Sequence, residues 1–271
     1  MTTANLALGQ ELLQIASNLA RQAGTMALVG RRGGLADVQT KTTATDMVTE
    51  FDRASELLVF EGLIRLRPHD TIVGEEGATQ SGSSGITWYI DPIDGTTNFL
   101  YSLPNWAVSI GATDDQGSLA GAVYIPALDE MFTAVRGGGA HLNGLPIRCN
   151  TISDLSQALV CTGFSYSAGQ RTLQAQRVAR MIHLVRDIRR FGAAAIDLCY
   201  VACGRLDAYF EENLELWDIV AGELIAREAG CRSGGFDGQD VTPAQTLASV
   251  PAIFDDLATL ITASSTGVRQ E

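Results

Sequence analysis

Residues 8–29 place Leu12, Ile15, Leu19, Ala23 and Met26 at helical spacing, with Glu11, Gln14, Asn18 and Arg21 opposite. That period predicts an amphipathic helix with one stripe turned to a core. Gly30-Arg31-Arg32-Gly33-Gly34 opens a loop, expected to be mobile, that runs through the polar stretch VQTKTTATDMVTEFD into a second helix predicted over residues 48–66. Beyond Pro68 the pattern becomes that of strands. DTIVGEE reads as a short strand ending in two carboxylates, GATQSGSSG as a solvated connector, and ITWYID as a β-rich run halted by Pro92. Apolar runs at 106–112, 119–125 and 131–135, separated by turns, predict successive strands of a largely antiparallel sheet. Gly137-Gly138-Gly139 is a turn, because no helical pattern follows it as a dinucleotide loop requires.

The second half alternates. A strand at 158–163, a helix around 170–185, the strand RDIRR, the helix AAAIDLCYVACG, the strand LDAYFE and the helix WDIVAGELIAREAG succeed one another, with Gly230 placed to cap the last helix. Such alternation predicts a layered α/β arrangement. The change of pattern near residues 150–157 divides a single 1–271 domain into approximate halves, 1–150 and 151–271, without a linker.

Composition narrows the possibilities. With 46% hydrophobic and 18% charged residues, the chain lies far from the disordered class. The formal net charge of −12 disfavours direct nucleic-acid or anionic-membrane binding, and an anionic substrate needs a bound cation to reverse the local field. Cys149, Cys161, Cys199, Cys203 and Cys231 are odd in number and form no CxxC pair, which fits reduced thiols in a cytoplasm. No basic amino-terminal region precedes an apolar stretch and no apolar run reaches spanning length, so neither an export signal nor a membrane segment is expected.

The chemistry concentrates in Asp91-Pro92-Ile93-Asp94-Gly95-Thr96-Thr97-Asn98. Pro92 forces a turn at a strand end, so two carboxylates three residues apart converge on one point as hard-cation ligands do. Gly95 admits close backbone approach, and the N–H groups of Gly95, Thr96 and Thr97 offer a phosphate cradle. A bare DPxD is more often a solvated turn, and Asp218 after Trp217 is explained by helix-dipole preference alone, as Gly74-Glu75-Glu76 is by an acidic loop. Several such carboxylates together repel one another unless a divalent cation neutralises them. Oxygen ligands select magnesium, manganese or calcium, and His69, His141 and His183 lack zinc-site spacing.

GEE, WYIDPIDGTTNF and WDIVAGELIAREAG, in this order and spacing, together with KTTATDMVTEFD and RRFGAAAIDLCYVACGRLDAYFE, resemble the signatures of the inositol monophosphatase family over nearly the whole chain. The resemblance implies an α/β (α+β) fold, a layered αβαβα sandwich, a homodimer, and two or three Mg2+ ions per subunit. It implies Glu75, Asp91, the Ile93 carbonyl, Asp94 and Asp218 as metal ligands, with Asp91 bridging two ions and Asp94 and Asp218 sharing one. Glu75 and Thr96 match the residues that orient the attacking water, with Asp94 beside them in the catalytic set, and Gly95 and Thr96 match the phosphate-holding backbone.

Toward the substrate, Glu211 matches a carboxylate that accepts polyol hydroxyls, and Gly192, Ala193 and Ala194 a sugar-facing turn; Ile93, Asp94 and Asp218 complete that set. A mobile loop matches Lys41 to Asp52, with Lys41 near the phosphate and Asp52 near a third ion, although Thr42-Thr43-Ala44 departs from the family's Ser-Ser-Pro. Arg189-Arg190 suits a dimer interface, an anion or merely a solvated surface. The implied activity is Mg-dependent hydrolysis of myo-inositol 1-phosphate by direct attack of water, with lithium inhibition. The alternatives are histidinol phosphate, fructose 1,6-bisphosphate or phosphoadenosine phosphate as substrate, or a regulatory binding protein contacting transcription or ribosome-assembly factors.

Overall fold

The computed structural model describes residues 3–33, 38–41 and 47–265. The first half holds α1 (Thr3–Arg31), β1 (Val38–Thr40), β2 (Met47–Thr49), α2 (Glu50–Leu66), β3 (Thr71–Gly74), β4 (Thr79–Gln80), β5 (Thr87–Asp94), α3 (Thr96–Leu100), β6 (Ala107–Asp114), β7 (Gly117–Ile125), β8 (Glu130–Val135), β9 (Gly139–Leu142) and β10 (Leu145–Pro146). The second holds β11 (Leu159–Thr162), α4 (Ala168–Met181), β12 (Asp187–Arg189), α5 (Ala194–Ala202), β13 (Ala208–Glu211), α6 (Leu216–Glu228), β14 (Arg232–Gly234), β15 (Thr246–Ser249) and α7 (Phe254–Ser265).

Two sheets come from separate stretches of chain. The larger has eight strands in the order β10-β9-β8-β7-β6-β5-β3-β4, antiparallel except where β3 runs parallel to β5. The smaller has five in the order β12-β11-β13-β15-β14, with β11 parallel to both β12 and β13. Leu12 and Leu19 of α1 and Val59 and Leu63 of α2 pack with Trp88, Ile90, Val108 and Ile110 on one face of the large sheet. Between the sheets lie α5 and α6, where Leu198, Leu224 and Ile225 meet Val123, Phe132, Tyr209 and Ala248. Met181 of α4 and Phe254, Leu257 and Ile261 of α7 cover Val160, Phe210 and Leu247 on the outer face of the small sheet. The layers therefore run αβαβα, each sheet burying both faces. Gly111 and Gly121 let α6 approach the large sheet, since a Cβ at either would strike Val220 or Ala221. Among the described residues no helix is long and apolar enough to cross a membrane.

Local expectations need correcting in four places. Pro92 does not halt its strand: β5 continues to Asp94 through a register shift between the pairs Asp91–Ser109 and Asp94–Ala107. The partner β3 ends opposite Ile90, so Pro92 lies where only one neighbour remains and its missing N–H breaks no regular ladder. The connector after Gly77 contains β4, paired with β3. The second helix starts at Glu50, after the short strand β2. Asp52, placed by the resemblance at the end of a mobile loop, is fully buried in the first turn of α2, where its carboxylate and the Thr49 side chain form a capping box. Gly34 and Thr42-Thr43-Ala44 lie outside the described residues.

Candidate active site

The ends of β5, β3 and β13 and the starts of α3, α5 and α6 meet around one cleft of about 530 Å3. Lys41, Glu75, Asp91, Ile93, Asp94, Gly95, Thr96, Gly192, Ala193, Ala194, Glu211 and Asp218 all line it, whereas Thr97 does not and Asp52 stands directly behind Thr96. Asp91, Asp94 and Asp218 each bring one carboxylate oxygen to within 4.8 Å of the others.

Backbone donors fix these carboxylates. Asp94 accepts the N–H groups of Ala194 (3.2 Å) and Ala195 (2.8 Å) at the start of α5. Asp91 accepts the N–H of Ile93 at 3.0 Å, and Asp218 accepts that of Glu215 at 2.7 Å within the capping box of α6. Anchored in this way, three negative groups face one another at close range. Burial pushes Asp91 and Asp218 well above the usual carboxylate range, and neighbouring carboxylates raise them further. Asp94 is pushed up to about 7 by burial, against its two backbone hydrogen bonds and with the help of the charges on Glu75 and Glu211.

Lys41 and Arg190 are the basic residues on the cleft wall. Lys41 Nζ is engaged by Glu75 at 2.8 Å and by Glu76. Those two carboxylates raise the Lys41 ammonium above its usual value although burial opposes them, and burial pushes Glu76 up to about 7. Burial and close approach thus keep Asp91, Asp94 and Asp218 from all ionising together unless a cation joins them. An all-oxygen, anionic, closely spaced donor set fits a hard divalent cation of the magnesium, manganese or calcium type.

Gly95 caps α3 with φ of 88°, and a Cβ there would meet Asn105 O, Gly192 O and the Ala193 side chain. Glycine is therefore required on two counts. The Thr96 hydroxyl lies 3.1 Å from Asp52 Oδ1 and 3.2 Å from Ile93 O, and both are acceptors for its single proton. On the opposite wall, Glu211 accepts the Tyr209 hydroxyl at 2.7 Å, and Gly163 behind it has no room for a side chain. Burial raises the Glu211 carboxyl, while Tyr209 and the charge of Arg190 oppose that rise.

Some supporting residues carry no motif. Glu56, 3% exposed, accepts the N–H groups of Glu76 (2.7 Å) and Ala78 (2.8 Å) and so fixes the turn that presents Glu75. Its one signal in the sequence is a carboxylate within an apolar helical run. Asn98 sits in the octet, yet its work is structural: its amide donates to Asn105 O (2.6 Å) and Phe191 O (2.7 Å), tying α3 to the Gly192 turn. Of the arginine pair, Arg190 lines the cleft and Arg189 is ion-paired with Asp187 on the surface.

The profile of the inositol monophosphatase family matches residues 9–266. The inositol-1-monophosphatase of Mycobacterium bovis is 45% identical over 240 residues, 82% of each chain. The Nus factor SuhB of Pasteurella multocida is 42% identical over 255 residues, 91% of this chain and 94% of its own. A Thermotoga maritima IMPase structure superposes with a TM-score of 0.86 at 31% identity, covering 94% of this chain and 98% of that one. The fold is the layered αβαβα arrangement of that structure. The chain belongs to the inositol monophosphatase family.

Proposed function

We propose that the protein is a magnesium-dependent phosphomonoesterase acting on a small phosphorylated polyol, with myo-inositol 1-phosphate as the leading substrate. The observation that carries this reading is the convergence of Asp91, Asp94 and Asp218 oxygens within 4.8 Å of one another, in the cleft that Gly95, Thr96 and Glu211 also line. Glu75, Asp91, the Ile93 carbonyl, Asp94 and Asp218 are proposed to hold two or three Mg2+ ions. When bound, such ions lower the pKa of water, neutralise phosphoryl charge and stabilise the leaving alkoxide.

The remaining roles fall to groups of the chain itself. Asp52, by accepting the Thr96 proton, leaves a lone pair of the Thr96 oxygen to accept a hydrogen bond from the attacking water. Glu75 orients that water and takes its proton, released from Lys41 as substrate arrives. The N–H groups of Gly95 and Thr96 hold the phosphate oxygens. Glu211, with one oxygen fixed by Tyr209, accepts polyol hydroxyls, and Gly192, Ala193 and Ala194 give the ring a wall without bulk. Lys41 attracts the phosphate, and Asp52, directly behind Thr96, would also serve a third ion. The homodimer and the cytoplasmic location expected from the sequence stay part of this proposal.

Phosphate release from myo-inositol 1-phosphate, histidinol phosphate, fructose 1,6-bisphosphate and phosphoadenosine phosphate tests the reading. Selectivity for the inositol ester supports it in full; selectivity for another ester keeps the chemistry and moves the substrate. The Nus factor name of the Pasteurella relative motivates a second reading, a regulatory partner of transcription. No turnover on any ester would favour it.

A further inference from the structure

Cys149 and Cys231 meet where the chain passes from the large sheet toward the small one, away from the cleft. Cys149 follows β10, and its N–H donates to Ala229 O at 3.1 Å, which binds this segment to the end of α6. Its sulfur is turned toward Gly230, where a Cβ would stand 3.9 Å from Sγ. Gly230 has φ of 93°, a left-handed turn that brings the following Cys231 back against Cys149, and the Cys231 N–H donates to Ala226 O at 3.0 Å. Cys149 packs against the buried cluster that contains Cys231, which places the two thiols side by side. Cys231 is buried at 7% exposure while Cys149 is only partly covered.

We propose that Cys149 and Cys231 form a thiol–disulfide exchange site that takes small-molecule disulfides, with Cys149 as the attacking group and Cys231 as the resolving one. The Cys149 thiolate attacks one sulfur of the small disulfide; that S–S bond breaks, and the departing half leaves as a thiolate that takes up a proton. Cys231 then gives up its proton and attacks the Cys149 sulfur of the mixed disulfide, expelling the second half as a thiol. The protein loses two hydrogens and two electrons, and the small disulfide is reduced to two thiols.

The assignment of roles follows from the surroundings. Cys149 is the more accessible of the two, and the adjoining Cys231 thiol, aided by the Arg148 guanidinium against partial burial, holds its thiol down to about 7. The adjoining Cys149, together with burial, pushes Cys231 up. The remaining thiols lack these features: Cys161 and Cys199 are buried, and burial raises both of them as well as Cys203. The bond would fasten the exit of α6, the helix that presents Asp218 at its other end, to the segment between the sheets.

The test is incubation of the full-length protein with oxidised glutathione at neutral pH, followed by thiol counting, intact mass and peptide mapping. The wild type is expected to fall from five free thiols to three, to lose two hydrogens in mass, and to yield one peptide joining Cys149 to Cys231, all reversed by dithiothreitol. Cys149→Ser should keep its remaining thiols, and Cys231→Ser should stop with one glutathionyl group on Cys149. Should Cys231→Ser fold poorly, the wild-type peptide map decides alone. A wild type that keeps five thiols, that carries a stable adduct on Cys149 with Cys231 free, or that joins another pair overturns the proposal.

Discussion

The Thr96 hydroxyl and the Asp52 carboxylate lie 3.1 Å apart, joining the first turn of α3 to the buried first turn of α2. In the proposed mechanism this contact sets the direction of the Thr96 lone pair. Thr96→Val should lower kcat by roughly 10²–10⁴-fold, the range for a lost general acid–base contact, with little change in KM. Thr96→Ser should retain most activity. Steady-state kinetics on both variants decide the point; equal loss in the two would place the role of Thr96 in packing.

Glu211 and Gly163 make a second pair. A methyl group at position 163 would occupy the space of the Glu211 carboxylate. Glu211→Ala is expected to raise KM for the inositol ester while leaving turnover of p-nitrophenyl phosphate nearly unchanged. Gly163→Ala should copy that selective defect through displacement of Glu211. A uniform loss on both esters would remove Glu211 from the polyol site.

Acid stability is predicted from Asp70, far from the cleft. Burial alone would raise its carboxyl, but hydrogen bonds from Arg67 and Ser84, and from Trp88 Nε1 at 2.9 Å, outweigh burial and hold it below the usual value. A group depressed in the folded state contributes stability that is present above its unfolded pKa of about 3.9 and lost as pH falls through the folded value. Asp70→Asn should therefore cost about 1–3 kcal/mol at neutral pH and flatten the acid limb of the Tm–pH curve. Thermal melts of both proteins between neutral pH and the acid limit check this.

The carboxylate cluster predicts a ligand-linked stability. With Asp91, Asp94 and Asp218 facing one another, the protein in chelator should melt at lower temperature than in magnesium, with Tm rising with ion concentration as binding linkage requires. Asp94→Asn should narrow that gap, because it removes one of the charges that magnesium neutralises, while its NH2 leaves one of the Ala194 and Ala195 N–H groups without an acceptor. Differential scanning calorimetry in the two buffers measures both effects.

Legibility from sequence followed the range of the interactions involved. Asp91, Asp94 and Asp218 were readable because strand-end and helix-start motifs carry them, and all three reach one point. Asp52 fell inside the helix predicted over residues 48–66, yet the resemblance put it at the end of a mobile loop; the capping box with Thr49 settles it in the first turn of α2. Pro92 was misread because whether a proline breaks a ladder depends on which neighbours its strand has, and β3 ends before it. β4 lay hidden in a Gly/Ser-rich connector since its pairing with β3 is tertiary. Residues 231–265, left without an assigned element, hold β14, β15 and α7; their short strands pair with each other and with β13. Asp197, 1% exposed and beside the Cys161 thiol, gives no signal that separates it from an ordinary helical aspartate.

The central claim is that these carboxylates bind magnesium to hydrolyse a polyol phosphate. Phosphate release from myo-inositol 1-phosphate, measured with magnesium and with chelator for the wild type and Asp94→Asn, tests it most directly. The account predicts wild-type turnover that chelator abolishes and magnesium restores, and a variant slower by roughly 10³-fold or more, the several kcal/mol of metal-assisted stabilisation. Turnover that survives chelation, or an Asp94→Asn protein as fast as the wild type, would contradict it.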